Sequence, residues 1–481
     1  MRRLVAAVLA FLVLVVGYGT LDVFDLAPGI LTRDAAAEPL PAPAPTGAAT
    51  GAPAAPLPTP DPSAAPLDEA ALSAALPAPT VLRRQVADEL ADPALGRSLG
   101  VTVRDAFTGA HLLDIDPDRP RVPASTAKIL TALAVGVTLD PASTLPTRVV
   151  QGRTPSELVL VAGGDTLLAP GKGNPTAVAG RAGLGDLAAQ VATALQAAGT
   201  GPVTVRLDMT YAAGPRYAPG WSMADVYAGY TQGVSMLGLA TQRPHPGHPS
   251  PLRSEDATLT AFVAALQKVG VAAKAAPEGA RAATAADGAT ELGRVESAPV
   301  GDVLALALDD SDNALTESLA RQASVKAGGA ATFEAATAFV RRTVSGLGVD
   351  LTGVRTKDTS GLTSGQTVPA RVLGDVLALG ASGTVSSMRD TLSHLPVAGL
   401  DGTLHDRFDG QRSRSAAGIA RAKTGTLTGA SSLAGTVVDR EGRVLTFVVI
   451  ADRVPGSFSG TLAARAALDR FVAALASCGC R

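Results

Sequence analysis

The sequence predicts an α/β protein in which an antiparallel sheet is covered by helices and interrupted by a long inserted region. Three observations predict it. Early in the chain, Leu99–Asp105 and His111–Ile115 read as two strands around the turn Phe107-Thr108-Gly109-Ala110, and a helix-forming run follows from Thr126. Late in the chain, residues 431–438 and 444–450 read as a second hairpin across Asp439-Arg440-Glu441-Gly442, followed by a helical stretch over 460–475. Between them the texture changes after Leu139, and long helical patterns return only from Ala298. Helices of this kind must bury their apolar stripes against a sheet, which gives the layered arrangement.

Composition sets the bounds. A chain of 481 residues is too long for one core and implies two or three domains. Hydrophobic residues at 46% support a globular body, but aromatics at 3%, with 51 Gly and 34 Pro, point to Ala- and Val-based cores and long irregular connections. The net charge of −2 and the lack of a basic block argue against nucleic acid as a partner. Two cysteines, Cys478 and Cys480, provide neither a disulfide framework nor a thiolate zinc site. A bridge across Gly479 would close a strained ring, so no ordinary disulfide is expected there. His245 and His248 lie between prolines without acidic or thiol companions and read as loop residues, so neither a metal nor a cofactor is expected.

At the N-terminus, Arg2-Arg3 precede an apolar run from Leu4 to Val16 that extends through Leu21. Its length lies between that of a signal peptide and that of a spanning helix, and the positive flank directs export of the chain downstream. Asp22-Val23-Phe24-Asp25 offers no small-x-small cleavage site, although Ala35-Ala36-Ala37 could serve. Residues 1–30 therefore read as a membrane anchor, with a cleaved signal peptide as the alternative. Residues 31–80 are Ala/Pro-rich and read as a disordered spacer holding an extracytoplasmic body away from a membrane of the cell envelope. That body comprises 81–145 and 297–477, with 146–296 inserted and 478–481 as a tail. Within the insert, 148–150, 157–161 and 203–208 read as strands, 184–198 and 259–269 as helices, and 271–292 as loop.

Three short stretches carry chemistry. In Pro123-Ala124-Ser125-Thr126-Ala127-Lys128, three residues separate a hydroxyl from an amine at the start of a helix, which places them on one face. A lysine of depressed pKa can take the serine proton there, and the helix end favours developing negative charge. In Ser311-Asp312-Asn313 the serine and asparagine project the same way; the same residues also suit a helix N-cap. Lys423-Thr424-Gly425 belongs to a strand leading into the second hairpin, and Gly425 lets a backbone or ligand approach that strand closely.

In this order, Ser-x-x-Lys, Ser-Asp-Asn and Lys-Thr-Gly are an established signature of penicillin-binding proteins and class A β-lactamases. Further stretches agree: Gly163-Gly164-Asp165, Pro219-Gly220-Trp221, Asp358-Thr359-Ser360-Gly361-Leu362-Thr363, Pro396-Val397-Ala398-Gly399 with Gly402-Thr403-Leu404, and Thr426-Leu427. From about Leu82 to Leu475 the chain resembles the penicillin-binding protein 4 type of D-alanyl-D-alanine carboxypeptidase, a family of serine peptidases. The resemblance implies the penicillin-binding, β-lactamase-like sandwich, split as 81–145 and 297–477, with two accessory domains, one nested in the other, over 146–296. The long interval from Ser125 to Ser311, and the lack of a Glu-x-x-x-Asn element, disfavour a class A β-lactamase.

What the resemblance implies for chemistry is a D,D-carboxypeptidase, with D,D-endopeptidase action on cross-links as a second capacity. Its partners are peptidoglycan stem peptides, with β-lactam antibiotics as inhibitors. Ser125 attacks the carbonyl between two D-alanines, and neutral Lys128, helped by the nearby charge of Lys423, accepts its proton. Ser311 relays the proton to the leaving amine, and Asn313 binds Lys128 and the substrate amide. Lys423, Thr424, Gly425 and Thr426 receive the terminal carboxylate, and the N–H groups of Ser125 and Thr426 form the oxyanion hole. Asp225 falls where relatives carry an acid for the amine of a diamino-acid stem. Ser364 replaces an arginine that would pair with a stem carboxylate, which suits an amidated stem. A β-lactamase and a catalytically silent wall-binding scaffold are the alternatives, and the scaffold has no need of Lys128 or Lys423.

Overall fold

The structure, a computed structural model, describes residues 74–479. The proposed anchor over 1–30 and most of the Ala/Pro-rich stretch therefore lie outside the described residues. Among the described residues no helix is long and apolar enough to cross a membrane.

Among the described residues ten strands form two five-stranded sheets. In chain order, β1 (Leu99–Asp105) and β2 (His111–Ile115) come first. They are followed by β3 (Pro146–Gln151), β4 (Glu157–Val161), β5 (Val203–Asp208), β6 (Ala273–Ala275) and β7 (Glu291–Glu296). Strands β8 (Arg421–Leu427), β9 (Ala430–Val438) and β10 (Val444–Ala451) come last. The first sheet has the order β2-β1-β10-β9-β8 and is antiparallel throughout, uniting the two hairpins across the β1–β10 pair. The second runs β6-β5-β4-β3-β7, with β4, β5 and β6 parallel and β3 antiparallel to its neighbours.

Helices cover both faces of the first sheet. On one lie α1 (Lys128–Thr138) and a group of helices from the chain beyond Val300; on the other lies the C-terminal helix. Alternation along β10 shows the reason. Val448 and Ile450 join the core under α1, whereas Phe447 and Val449 join the core under the C-terminal helix. A strand buried on both sides needs the continuous apolar run seen in Val444–Ala451. In the second sheet, α2 (Leu184–Ala197) and α4 (Ser254–Lys268) pack on one face through Leu187, Val191, Phe262 and Leu266. Between them is the short α3 (Met223–Tyr227).

From Val300 the chain forms α5 (Val300–Asp309), α6 (Asn313–Lys326), α7 (Phe333–Gly346) and α8 (Ala370–Ala381), and it ends in α9 (Phe458–Ala476). Helix α1 is buried along nearly its whole length, with Leu133 fully enclosed, so truncating Leu133 to alanine costs about 2–5 kcal/mol. That burial makes α1 a rigid mount for the turn that precedes it.

Two expectations are corrected. The stretch 271–292 is not all loop: β6 extends the sheet beside β5, and the strand beginning at Glu291 pairs with β3. Three residues of β6 give no periodicity, and Glu291, Arg294 and Glu296 mask a strand at the sheet edge. Cys478 is buried and disulfide-bonded, against the expectation from ring strain; the only other cysteine of the chain, Cys480, lies outside the described residues.

Candidate active site

Ser125 lies in a single 3₁₀ turn, Ala124–Ala127, from which α1 starts at Lys128. The sequence places serine and lysine on one helical face; the 3₁₀ geometry goes further, because residues i and i+3 eclipse in it. Lys128 Nζ is accordingly 2.9 Å from Ser125 Oγ. The turn is strained, since Ala124 has φ +48°, a left-handed conformation that costs a non-glycine residue about 1–3 kcal/mol. Its surroundings hold it. The Pro123 carbonyl accepts from Thr126 Oγ1 (2.6 Å) and from Ser432 Oγ (2.7 Å), and Gly361, at φ +84°, packs against the Ala124 carbonyl where a Cβ would collide.

Lys128 is fully buried and donates to three acceptors: Ser125 Oγ, Asn313 Oδ1 at 2.6 Å and the Ser360 carbonyl at 2.8 Å. Burial lowers its pKa to about 8, while Asp358, Glu317 and Asp312 pull it upward. Desolvation is the first cause of the low Lys128 pKa, ahead of the repulsion between the two lysines. Lys423 is itself fully buried, and its pKa falls well below the ordinary lysine value through burial first and the proximity of Lys128 second. Two ammonium groups are thus disfavoured in this pocket.

The Ser311-Asp312-Asn313 turn caps a helix, as its residue types suit. Asp312 is the N-cap of α6, accepting from Leu315 N at 2.9 Å, and it also pairs with Arg243 at 3.0 Å. Its neighbour Asn313 accepts from Lys128 and donates Nδ2 to the Tyr230 carbonyl at 2.8 Å. Ser311 is half-buried, has φ +55°, and makes no side-chain hydrogen bond among the described residues. It precedes the Asn313 contact by two residues but touches neither Ser125 nor Lys128 through a hydrogen bond.

Sequence reasoning missed how the Ser360 carbonyl is aimed. Buried Glu317, on α6, accepts from Thr359 N (2.9 Å), Thr359 Oγ1 (2.5 Å) and Ser360 N (2.8 Å). Asp358 accepts from Gly361 N, Thr363 N, Gln366 Nε2 and, at 3.1 Å, Trp221 Nε1. Burial first, then Asp358, raises the Glu317 pKa to about 7. The acid one helical turn beyond Asn313 was the available signal. Ser364 is exposed, and its carbonyl accepts from Lys357 Nζ at 2.8 Å.

Lys423, Thr424, Gly425 and Thr426 lie on β8, an edge strand. Its register with β9 is unbroken, and Ala422 N points outward to the Pro396 carbonyl. By alternation the N–H groups of Thr424 and Thr426 also face the open edge. The side chains divide the same way. Lys423 and Gly425 face the Ser125 turn, and a Cβ on Gly425 would collide with Ser432 Oγ and stand 2.6 Å from the Pro123 carbonyl oxygen. The close approach expected of Gly425 is therefore that of the Ser125 turn. Thr424 and Thr426 face the α9 side, where Thr424 Oγ1 meets Thr403 Oγ1 at 3.0 Å and Thr426 Oγ1 accepts from Arg465 Nε at 3.3 Å. Lys423 Nζ donates to the Thr424 carbonyl at 3.1 Å.

Asp225, in the first turn of α3, is half-buried, and its carboxylate makes no hydrogen bond or ion pair among the described residues. It is linked to the site through the backbone, since Tyr230 N donates to the Asp225 carbonyl and the Tyr230 carbonyl holds Asn313. His245 and His248 close a small turn on each other's backbone. No group of side chains suited to a metal occurs among the described residues.

Comparison with known proteins agrees with this geometry. The family model described as D-Ala-D-Ala carboxypeptidase 3 (S13) matches residues 82–246 and 251–475. Carboxypeptidase DacB of Mycolicibacterium smegmatis is 37% identical over 414 residues, spanning 84% of this chain and 86% of that protein. D-alanyl-D-alanine carboxypeptidase of Actinomadura sp. is 28% identical, spanning 77% and 81%. The crystal structure of penicillin binding protein 4 from Haemophilus influenzae superposes with a TM-score of 0.63 at 19% identity, covering 82% of this chain and 97% of that one, and establishes the shared fold. With a serine–lysine pair at its centre and the family's pattern along its length, the chain belongs to the D-Ala-D-Ala carboxypeptidase 3 (S13) family of serine peptidases.

Proposed function

We propose that Ser125 is the nucleophile of this serine D-Ala-D-Ala carboxypeptidase and Lys128 its general base. The observation that carries the reading is the buried Lys128 amine, 2.9 Å from Ser125 Oγ and with its pKa lowered to about 8. A neutral amine accepts the hydroxyl proton as Oγ attacks the carbonyl carbon between two D-alanines. Charge developing on the carbonyl oxygen falls to the N–H groups of Ser125 and Thr426, each such donor contributing about 2.7–4 kcal/mol. Collapse of the tetrahedral adduct breaks the peptide bond, and the proton reaches the departing amine by way of Ser311. Water then hydrolyses the acyl-enzyme.

Asn313 orients Lys128, and the closeness of buried Lys423 disfavours protonation of both amines at once. Thr424, Gly425 and Thr426 line the strand edge where the substrate's last residue lies. Penicillin, which presents a reactive amide beside a carboxylate, acylates Ser125 and is released slowly. The body over 81–145 and 297–477 carries the chemistry, and the insert over 146–296 walls the site through Tyr230, with Asp225 facing the amine of the stem peptide. Cleavage of cross-links by the same acyl transfer is the second capacity. The apolar segment over 1–30 tethers the enzyme at the membrane, and the Ala/Pro-rich stretch gives it reach into the wall.

The test is release of D-alanine from an N-acylated peptide ending in D-Ala-D-Ala. The protein should release it, and Ser125→Ala should not; equal release by both would remove Ser125 from the reaction. Turnover of penicillin faster than that of the peptide would favour a β-lactamase instead.

A further inference from the structure

Next to β8 stands a cation that this mechanism does not use. Arg465, on α9, is half-buried and donates Nε to Thr426 Oγ1 at 3.3 Å, its only side-chain hydrogen bond among the described residues. It forms no ion pair among those residues. The carboxylate nearest in kind is already engaged: Asp469 accepts from Arg407 Nε at 3.2 Å and Nη2 at 2.5 Å, with both side chains buried. Arg407 also donates Nη2 to the Arg465 carbonyl at 3.3 Å, which brings a second guanidinium alongside. Burial, and then the charge of Arg407, lower the Arg465 pKa, against weaker upward pulls from Asp406 and Asp469.

An arginine in this position is costly unless something anionic meets it. Sheltered guanidinium groups are normally paired, because a desolvated cation without a counter-charge is strongly destabilising. Asp406 and Asp469 act on Arg465 only at a distance, without a hydrogen bond or ion pair to it among the described residues, and its one hydrogen bond ends on a hydroxyl of the edge strand β8. The planar fork of arginine suits a carboxylate, which it can bind through two parallel hydrogen bonds. Lys423 stands by the same strand, its Nζ 3.1 Å from the Thr424 carbonyl, but it offers a point charge and not a fork.

We infer that Arg465 is a specificity-determining residue that, with Thr424 and Thr426, receives the terminal carboxylate of the substrate and the equivalent carboxylate of penicillin. Arg465 is thus a substrate-binding residue on the C-terminal helix, far in sequence from the three motifs. The inference rests on the reading of Ser125 as nucleophile, and the experiment separates the two.

The rate of Ser125 acylation is measured for benzylpenicillin and for its methyl ester, with wild type, Arg465→Gln and Arg465→Lys. Loss of a charged partner at a sheltered site should slow acylation by benzylpenicillin about tenfold or more, while the neutral ester reacts at its wild-type rate within about twofold. Arg465→Lys should lie between wild type and Arg465→Gln for the acid and be unchanged for the ester. Equal losses on acid and ester would assign Arg465 to packing and overturn the inference, as would an unchanged rate on both. Should Arg465→Gln melt well below wild type, the lysine variant, which keeps stem and charge, gives the same comparison. A wild type that neither ligand acylates would sink the reading of Ser125 itself, and this inference with it.

Discussion

Substituting Gly425 by alanine tests how the two halves of the site are held together. A Cβ at 425 would stand 2.6 Å from the Pro123 carbonyl oxygen and 3.1 Å from Thr126 N, besides colliding with Ser432 Oγ. The serine hydroxyl can rotate away, though it would give up its 2.7 Å hydrogen bond to Pro123. The backbone oxygen cannot, because it belongs to the turn that carries Ser125. Relieving the contact therefore requires β8 and that turn to separate by about half an ångström or more. Overpacking of this kind costs about 1–3 kcal/mol of stability. The larger effect falls on chemistry, since in the proposed mechanism Thr426 N–H and Ser125 N–H converge on one oxygen, and a displacement approaching 1 Å can cost about a hundredfold. Gly425→Ala should thus be acylated by a fluorescent penicillin about tenfold to a hundredfold more slowly, with a melting temperature lowered by only a few degrees. Acylation at the wild-type rate in a folded Gly425→Ala protein would refute the argument that this contact sets the spacing.

Three further predictions concern Lys128. Lys128→Arg should be as inactive as Lys128→Ala, because arginine keeps the charge but does not release its proton in a protein, and near-normal acylation by the arginine variant would make the lysine a fixed charge only. With its pKa lowered to about 8, the neutral base becomes available as pH rises, so the acylation rate should climb through about pH 8 and level off above it. Glu317→Gln removes a negative charge that favours the Lys128 ammonium, so this rising limb should move to lower pH; Glu317→Ala would instead leave the Thr359 and Ser360 N–H groups unpaired, at about 1–3 kcal/mol each. A limb that stays in place in Glu317→Gln would show that the acid acts on Lys128 only through the backbone it holds.

Much of this fold was legible because its strands are unambiguous. The Val444–Ala451 run and the turn before it specify a hairpin without help from elsewhere, and Lys423-Thr424-Gly425 can be placed on the strand ahead of it. Strands β6 and β7 were not legible, one being three residues long and the other carrying charged side chains at a sheet edge. At the site, the spacing of Ser125 and Lys128 foretells their contact but not the 3₁₀ turn that eclipses them, which depends on Gly361 and Ser432 arriving from distant parts of the chain. That burial is the first cause of the low Lys128 pKa was not legible for a similar reason: burial is a property of the assembled core, whereas a second lysine is visible in the sequence. Glu317 and Arg465 sit in helical patterns that read as ordinary surface or core positions, and only the packing of α6 and α9 gives them a task. The roles assigned to Ser311 and Asp225 came from the resemblance, and no side-chain contact of either links it to Ser125.

The most direct measurement is to treat the protein with benzylpenicillin, digest it, and locate the covalent adduct by mass spectrometry. One adduct should form, on the peptide containing Ser125, and Ser125→Ala should form none while keeping a melting temperature close to wild type. An adduct on any other residue, or one that persists in Ser125→Ala, would contradict the assignment of Ser125 and Lys128 as the centre of the chemistry.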